Sequence, residues 1–383
     1  MKFLFVSANQ GGGGSEELWI QTAGWLRNLG HKVHAVTEWK TAAVRRLDQL
    51  DSFNVSHSTA DPTGGGAIIN KVTERIFRRQ PWNQRNLRSI LKSLRPDLVI
   101  FNSGTLVDGI SLLQVIQDEQ VPYVVVTHLV STDNWPNDDL ATRIHTLFSR
   151  AIETCFVSQH NLELYTLQTG RKLINSSIVR NPFLVKGAQI PMPEQNEGTP
   201  VRLALPARLH PKTKGQDMLF SVLSRPEWQV RNIQVSLFGT GSCEDSLRRL
   251  RSELGLGNKV VFAGHVEDMD HVWLHHHALV LPSRHEGLPI AQIEAMIAGR
   301  TVIATPAGGI PEMMKPGQTG YLASACEVEA LHRAMDEAWS QRDRWGSLGE
   351  AGRELVRSRI PADPVKSWGK HLADLADSQR GRI

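Results

Sequence analysis

Twice in this chain a series of short apolar runs alternates with longer amphipathic stretches. This pattern constrains the fold more than any other feature. Short runs apolar throughout suit parallel strands buried on both faces, and amphipathic stretches supply the helices that cover them. The first series predicts strands over 2–7, 32–37, 97–102, 122–127 and 154–158. The second predicts strands over 201–206, 233–238, 260–263, 278–281 and 301–304. Between them, 187–200 holds Pro191, Pro193 and Pro200 among Glu194, Asn196, Glu197 and Gly198, a linker composition. The expected architecture is α/β with two doubly wound domains, 1–190 and 191–360. Residues 361–383 form a C-terminal helix, with Val365, Trp368, Leu372 and Leu375 on one face, that packs back on the first domain. Two such sheets imply a cleft between them, with ligands outside the carboxyl ends of the strands.

Composition narrows the class. A chain of 383 residues can bury a large core without disulfide or metal staples. With 40% hydrophobic and 21% charged residues, it is neither a disordered tail, a collagen nor a coiled coil. The net charge of +4 is too small to argue for nucleic acid. Cys155, Cys243 and Cys326 are far apart, with no C-x-x-C, which suggests a reducing compartment. No apolar run reaches the ~18–20 residues of a membrane span. The N-terminal apolar stretch is too short for a signal peptide and meets Glu16 and Glu17 early. The expected location is the cytoplasm, with peripheral contact at the inner membrane face.

Two loops after strands carry the candidate chemistry. After 278–281 comes PSRHEGLPIAQIEAMIAGR, in which Pro289 suits the first helical position and Gly299 the C′ position, predicting a helix over 289–298. The free amides of Leu288, Ile290 and Ala291 then make a phosphate seat. Glu286 precedes that helix and Glu294 lies in its second turn. A carboxylate beside a phosphate seat makes electrostatic sense when it accepts hydroxyl hydrogen bonds, as from a sugar or ribose. The alternative is a solvated loop residue and a surface helix residue. After 201–206 comes ARLHPKTKGQD, where Arg208 and Lys214 can neutralise a diphosphate. The alternative there is a solvated basic turn, with Lys212 competing for the lysine role.

These segments resemble the family-4 retaining glycosyltransferases of GT-B fold, in which two Rossmann-like domains face each other across a cleft. SRHEGLPIAQIEAM is similar to the family's S-x-x-E-G-L-P-x-x-x-x-E-A-M, with Glu286 and Glu294 at its two acidic positions. Arg208 and Lys214-Gly215 match its Arg and Lys-Gly. Gly13, Gly14, Ser15 and Glu16 match its G-G-x-E loop. Phe238, Gly239 and Gly241 match F-x-G-x-G, and Val157-Ser158 with Asn181-Pro182 match later motifs. Gly308, Gly309, Pro311 and Glu312 match G-G-x-P-E. The resemblance implies an acceptor-binding first domain, a nucleotide-sugar-binding second domain, and metal-independent sugar transfer with retention of configuration. It implies Glu286 beside the donor sugar and Glu294 on the ribose. Arg208 and Lys214 fall on the diphosphate, and Gly287, Leu288, Ile290, Gly13, Gly14 and Gly239 line the donor. His128, after the strand 122–127, matches a histidine near the transferred sugar; a loop-capping histidine is the alternative. No cofactor is implied beyond the nucleotide sugar. Another enzyme of this fold, such as a nucleotide-sugar epimerase, and a non-catalytic binder are the alternatives.

Other signals point elsewhere. Gly11–Gly14 with Glu38 hints at a dinucleotide loop, but G-x-G-x-x-G fails at Glu16. His271 and His275 have i,i+4 spacing without evident further zinc ligands. Asp268-Met269-Asp270 resembles a metal-binding D-x-D but suits a helix N-cap better. The ten tryptophans are dispersed, so packing is their default role. From Lys71 to Arg95, Lys71, Arg75, Arg78, Arg79, Arg85, Arg88, Lys92 and Arg95 stand against Glu74 alone. Leu87, Ile90, Leu91 and Leu94 form an apolar stripe beside them. This stretch is expected either to be a solvated helix or to meet an anionic membrane or acceptor.

Overall fold

The computed structural model describes residues 1–9, 14–37, 44–59, 82–185 and 190–381. It divides into two compact units, Met1–Pro182 with Asp363–Ile383, and Phe183–Ala362.

The first unit is built on a seven-stranded parallel sheet of order β3-β2-β1-β4-β5-β6-β7. Its strands are β1 (Lys2–Ser7), β2 (Lys32–Thr37), β3 (Ser56–Thr59), β4 (Leu98–Ser103), β5 (Tyr123–Thr127), β6 (Glu153–Phe156) and β7 (Ser176–Ile178). The central strands β4 and β5 are buried along their whole length, as a sheet covered on both faces requires. β3 and β7 were not expected. Ser-His-Ser-Thr and Ser-Ser-Ile carry almost no apolar signal, because an edge strand has a neighbour on one side only. The C-terminal helix Pro364–Arg380 packs on the helix Glu17–Asn28, with Gly369 against the ring of Trp25. Arg380 grips Asp97 at 2.9 Å, and His371 pairs with Glu153.

The second unit holds a six-stranded parallel sheet of order β10-β9-β8-β11-β12-β13. Its strands are β8 (Val201–Pro206), β9 (Ile233–Phe238), β10 (Val260–Gly264), β11 (Ala278–Leu281), β12 (Thr301–Ala304) and β13 (Gly320–Leu322). The short β13, again at an edge, was also missed. In both sheets the chain winds outward from the first strand and then reverses, so a switch point lies between β1 and β4 and another between β8 and β11. Arg300, fully buried, donates to the carbonyls of Trp273, His276, Ala298, Ile190 and Pro191. It thereby ties the start of the linker stretch to this unit. No helix among the described residues is long and apolar enough to cross a membrane.

Candidate active site

The two candidate loops of the second unit leave adjacent strands, β8 and β11, at the switch point, and they are stitched together. Gly215 has φ +66, and a Cβ there would lie 1.8 Å from the Pro282 carbonyl oxygen. Only glycine permits that approach. The amides of Arg284 and His285 both donate to the Thr213 carbonyl, at 2.8 and 3.2 Å. This docking brings Lys214 Nζ within 2.7 Å of Glu286 Oε1. Ser283 Oγ donates to the same oxygen at 2.7 Å. Glu286 is buried at 7% exposure and Lys214 is largely buried, so the bond is charge-assisted and little screened. Oε2 accepts no hydrogen bond among the described residues, which leaves one carboxylate oxygen to receive a hydroxyl.

Glu286 is also held from behind. Gly308 has φ +55, and a Cβ there would fall 1.8 Å from the Glu286 carbonyl oxygen. Gly309 donates to the Gly287 carbonyl at 2.7 Å. The Gly308-Gly309 pair of the G-G-x-P-E segment thus packs flat on the Glu286-Gly287 backbone.

The helix that follows runs Ile290–Ile297, one residue shorter at each end than expected. Pro289 is its N-cap, with ψ 126, and its carbonyl accepts the Gln292 amide at 3.2 Å. The amides of Leu288, Ile290 and Ala291 donate to no acceptor among the described residues and remain a set of donors beside Gly287. Glu294 is buried, and its Oε1 accepts the Leu184 amide at 2.9 Å.

Arg208 is exposed, and its guanidinium makes no ion pair among the described residues. Its backbone is fixed. Gln216 Nε2 and the His210 amide both donate to its carbonyl, at 2.8 and 2.9 Å. Gly239 and Gly241 lie directly on the carbonyls of Ala207 and Leu209, on either side of it. Arg208 is therefore an exposed cation on a hydrogen-bonded backbone.

The first unit places its residues separately. His128 follows β5, and its amide donates to the Ser103 carbonyl at 3.1 Å. Burial lowers its pKa to about 4, so the ring is neutral at neutral pH. Among the described residues neither ring nitrogen has a hydrogen-bond partner, although the side chain is buried. A neutral imidazole in that state offers one donor and one acceptor. Gly14 opens the short turn Gly14–Glu16, and Gly13 lies outside the described residues. Glu16 serves packing: it accepts from Ser7 Oγ at 3.1 Å, Asn9 Nδ2 at 3.0 Å and Trp19 Nε1 at 2.8 Å.

The remaining signals resolve as follows. Asp268 caps the helix Met269–His275 by accepting the His271 amide at 3.1 Å. Among the described residues no group of three or more His, Cys, Asp or Glu side chains is arranged to hold a metal ion. Lys71, Arg75, Arg78 and Arg79 lie outside the described residues. Arg88 and Lys92, on the helix Trp82–Leu94, pair with Glu119 at 3.1 and 3.9 Å, and Leu87 and Leu91 belong to the core. The apolar stripe of that helix therefore faces the protein, while Arg85 and Arg95 stay exposed. Sequence reasoning had no role for Ser283, Asp217 or Arg284, although the S-x-x-E spacing puts a hydroxyl three residues before Glu286.

A family model for glycosyltransferase family 4 matches residues 12–169, and one for glycosyl transferases group 1 matches 191–355. The chain belongs to glycosyltransferase family 4. One similar protein is the GDP-mannose-dependent alpha-(1-6)-phosphatidylinositol monomannoside mannosyltransferase of Mycobacterium tuberculosis. It is 33% identical over 185 residues, 46% of this chain and 46% of that protein. The match thus spans about half the length of such relatives. Among solved structures, Anabaena HepE in complex with UDP superposes with a TM-score of 0.75 at 18% identity, covering 99% of this chain and 100% of that one. Sucrose-phosphate synthase from Thermosynechococcus elongatus gives 0.73 at 18%, with the same coverage. This family-4 chain therefore has the GT-B fold, two Rossmann-like units each wound on a parallel sheet.

Proposed function

We propose that the protein is a retaining glycosyltransferase that moves a sugar from a nucleotide-diphosphate sugar to a glycan or lipid-linked acceptor, without a metal ion or other cofactor. The observation that carries this reading is the meeting of Lys214, Ser283 and Glu286 beside the unused amides of Leu288, Ile290 and Ala291. In transfer, the bond from the sugar's anomeric carbon to the diphosphate oxygen breaks, and the acceptor hydroxyl oxygen takes its place, its proton passing to the departing diphosphate. Negative charge grows on the departing diphosphate. Lys214 has three donor hydrogens, so it can keep Glu286 while donating to a phosphate, and Arg208 adds a second cation. The helix amides supply fixed dipoles aimed at the same charge. Glu286 Oε2 accepts a hydroxyl of the donor sugar, and Glu294 is assigned to the ribose by its match to the family signature. His128 is read as a hydrogen-bond partner for a substrate hydroxyl. Retention rests on the match of Glu286 and Glu294 to the family signature.

Calorimetry with UDP and GDP tests the donor site. Lys214→Ala and Arg208→Ala should each weaken binding by about 10- to 100-fold, the worth of a charge-assisted bond. Unchanged affinity in both variants removes them from the site. Turnover of a nucleotide sugar should need an acceptor and survive EDTA; donor turnover without acceptor would favour an epimerase. The same reading includes a cytoplasmic location, which the three free thiols fit, and peripheral contact with anionic membrane through the exposed Arg85 and Arg95. Salt-sensitive co-sedimentation with anionic but not neutral vesicles should be lost in the Arg85→Ser/Arg95→Ser double variant.

A further inference from the structure

We infer that Arg284 and Asp217 form a positioning clamp that sets the spacing between Lys214 and Glu286; this rests on the donor-site reading above. The guanidinium of Arg284 donates to both carboxylate oxygens of Asp217, each at 2.7 Å, and to the Pro211 carbonyl at 2.9 Å. Pro211 opens the one-turn helix that ends at Lys214, and Asp217 lies three residues beyond Lys214. One planar group therefore braces the lysine-bearing turn on both sides. Arg284 is itself adjacent to Ser283 and two residues from Glu286, the pair joined through Oε1. The clamp links the segment that aims the ammonium to the segment that aims the carboxylate.

Its chemistry suits positioning. A bidentate arginine–carboxylate pair fixes orientation as well as distance, and the third bond to Pro211 uses a donor that lysine cannot offer in the same plane. Both side chains are about one third exposed, so the pair adds little to global stability. The main-chain bonds to Thr213 and the contact of Gly215 with Pro282 dock the loops without it. What the clamp adds is fine registration of Lys214 on Glu286. Its loss is then read in turnover rather than in folding.

The test uses the full-length protein and the variants Arg284→Met, Arg284→Lys, Asp217→Asn and Arg284→Met/Asp217→Asn, with Lys214→Ala as reference. UDP and GDP affinities are measured by calorimetry, and kcat and KM from release of UDP from UDP-glucose or GDP from GDP-mannose with methyl α-mannoside or vesicles of a mannosylated lipid as the acceptor. Arg284→Met and Asp217→Asn should each lower kcat about tenfold or more, as small misplacements of reacting groups do. Nucleotide affinity should hold within about threefold, and the melting temperature should change little. The double variant should be no worse than the worse single one, since both remove one interaction. Arg284→Lys should recover only part of the loss. Should Arg284→Met fail to fold, the isosteric Asp217→Asn, which still accepts one hydrogen bond, carries the test. Wild-type kcat in Arg284→Met and Asp217→Asn while Lys214→Ala is impaired would overturn the clamp, as would additive losses in the double variant. No effect of Lys214→Ala on nucleotide binding overturns the donor-site reading, and the clamp with it.

Discussion

Glu286 illustrates how one residue is given a job by its surroundings. An isolated glutamate in a loop is a solvated charge. Here Lys214 and Ser283 occupy one oxygen, the Gly308 backbone closes off the carbonyl side, and a single oxygen is left to work. His128 is made by the opposite means, since burial keeps it neutral. That state has a pH signature. An unfolded histidine titrates near 6.5, whereas His128 in the fold titrates near 4. Between those values the unfolded chain binds a proton that the native protein does not, so stability falls as pH falls through that window. The cost is about 2 kcal/mol at pH 5 for such a group. His276, also lowered to about 4 by burial, adds to it. Thermal melting should therefore drop between pH 7 and pH 5, and His128→Asn should show a shallower drop. An identical slope in the variant would mean that His128 takes up its proton in the native state.

Among the elements, the loops after β8 and β11 matter more than the strands that present them. Their docking depends on two positive-φ glycines that touch backbone, Gly215 on Pro282 and Gly308 on Glu286. A methyl group at Gly215 meets a carbonyl oxygen that has no rotamer to change, so the loop must move. Gly215→Ala is expected to cost about 1–3 kcal/mol in strain and to displace Lys214. The measurement is paired: a lowered melting temperature together with weaker UDP or GDP binding. Loss of stability with full nucleotide affinity would separate the loop junction from the site. The helix Trp82–Leu94 shows the reverse case, in which charges that look available are engaged. Arg88 and Lys92 turn to Glu119 at the end of the neighbouring helix, and the apolar stripe between them is core.

For the whole molecule, the chain returns to its first unit at the end. Trp368 and Leu372 of the C-terminal helix are buried, and Arg380 reaches Asp97, whose carboxylate also accepts the Lys2 amide at 2.6 Å. The first and last segments of the chain are thus fastened together at the foot of β1 and β4. Leu372→Ala should destabilise the first unit by about 2–5 kcal/mol, the usual cost of a core leucine truncation. Scanning calorimetry reads the shift, and calorimetric nucleotide affinity should stay the same, because the donor loops belong to Phe183–Ala362. A melting temperature equal to the wild type would show that the helix adds nothing to that core.

The sequence by itself determined the winding of both sheets and the loops that bear the chemistry. Buried parallel strands must be apolar throughout, and glycines that meet backbone cannot be replaced. Those needs leave marks on single residues, as at 2–7, 201–206 and in the S-x-x-E-G-L-P segment. The edge strand Ser56–Thr59 leaves none, because Ser56, His57 and Ser58 are at least partly exposed and the strand carries no apolar run. The tertiary structure alone decided who pairs with whom. That Lys214, the lysine its Gly215 neighbour already favours, meets Glu286, that Arg284 turns to Asp217, and that Glu16 accepts from Ser7, Asn9 and Trp19 follow from side-chain distances that only the fold sets. A charge has the same letter whether it is solvated, paired or poised. Only folding, by removing water from some charges and bringing partners to others, sorts them.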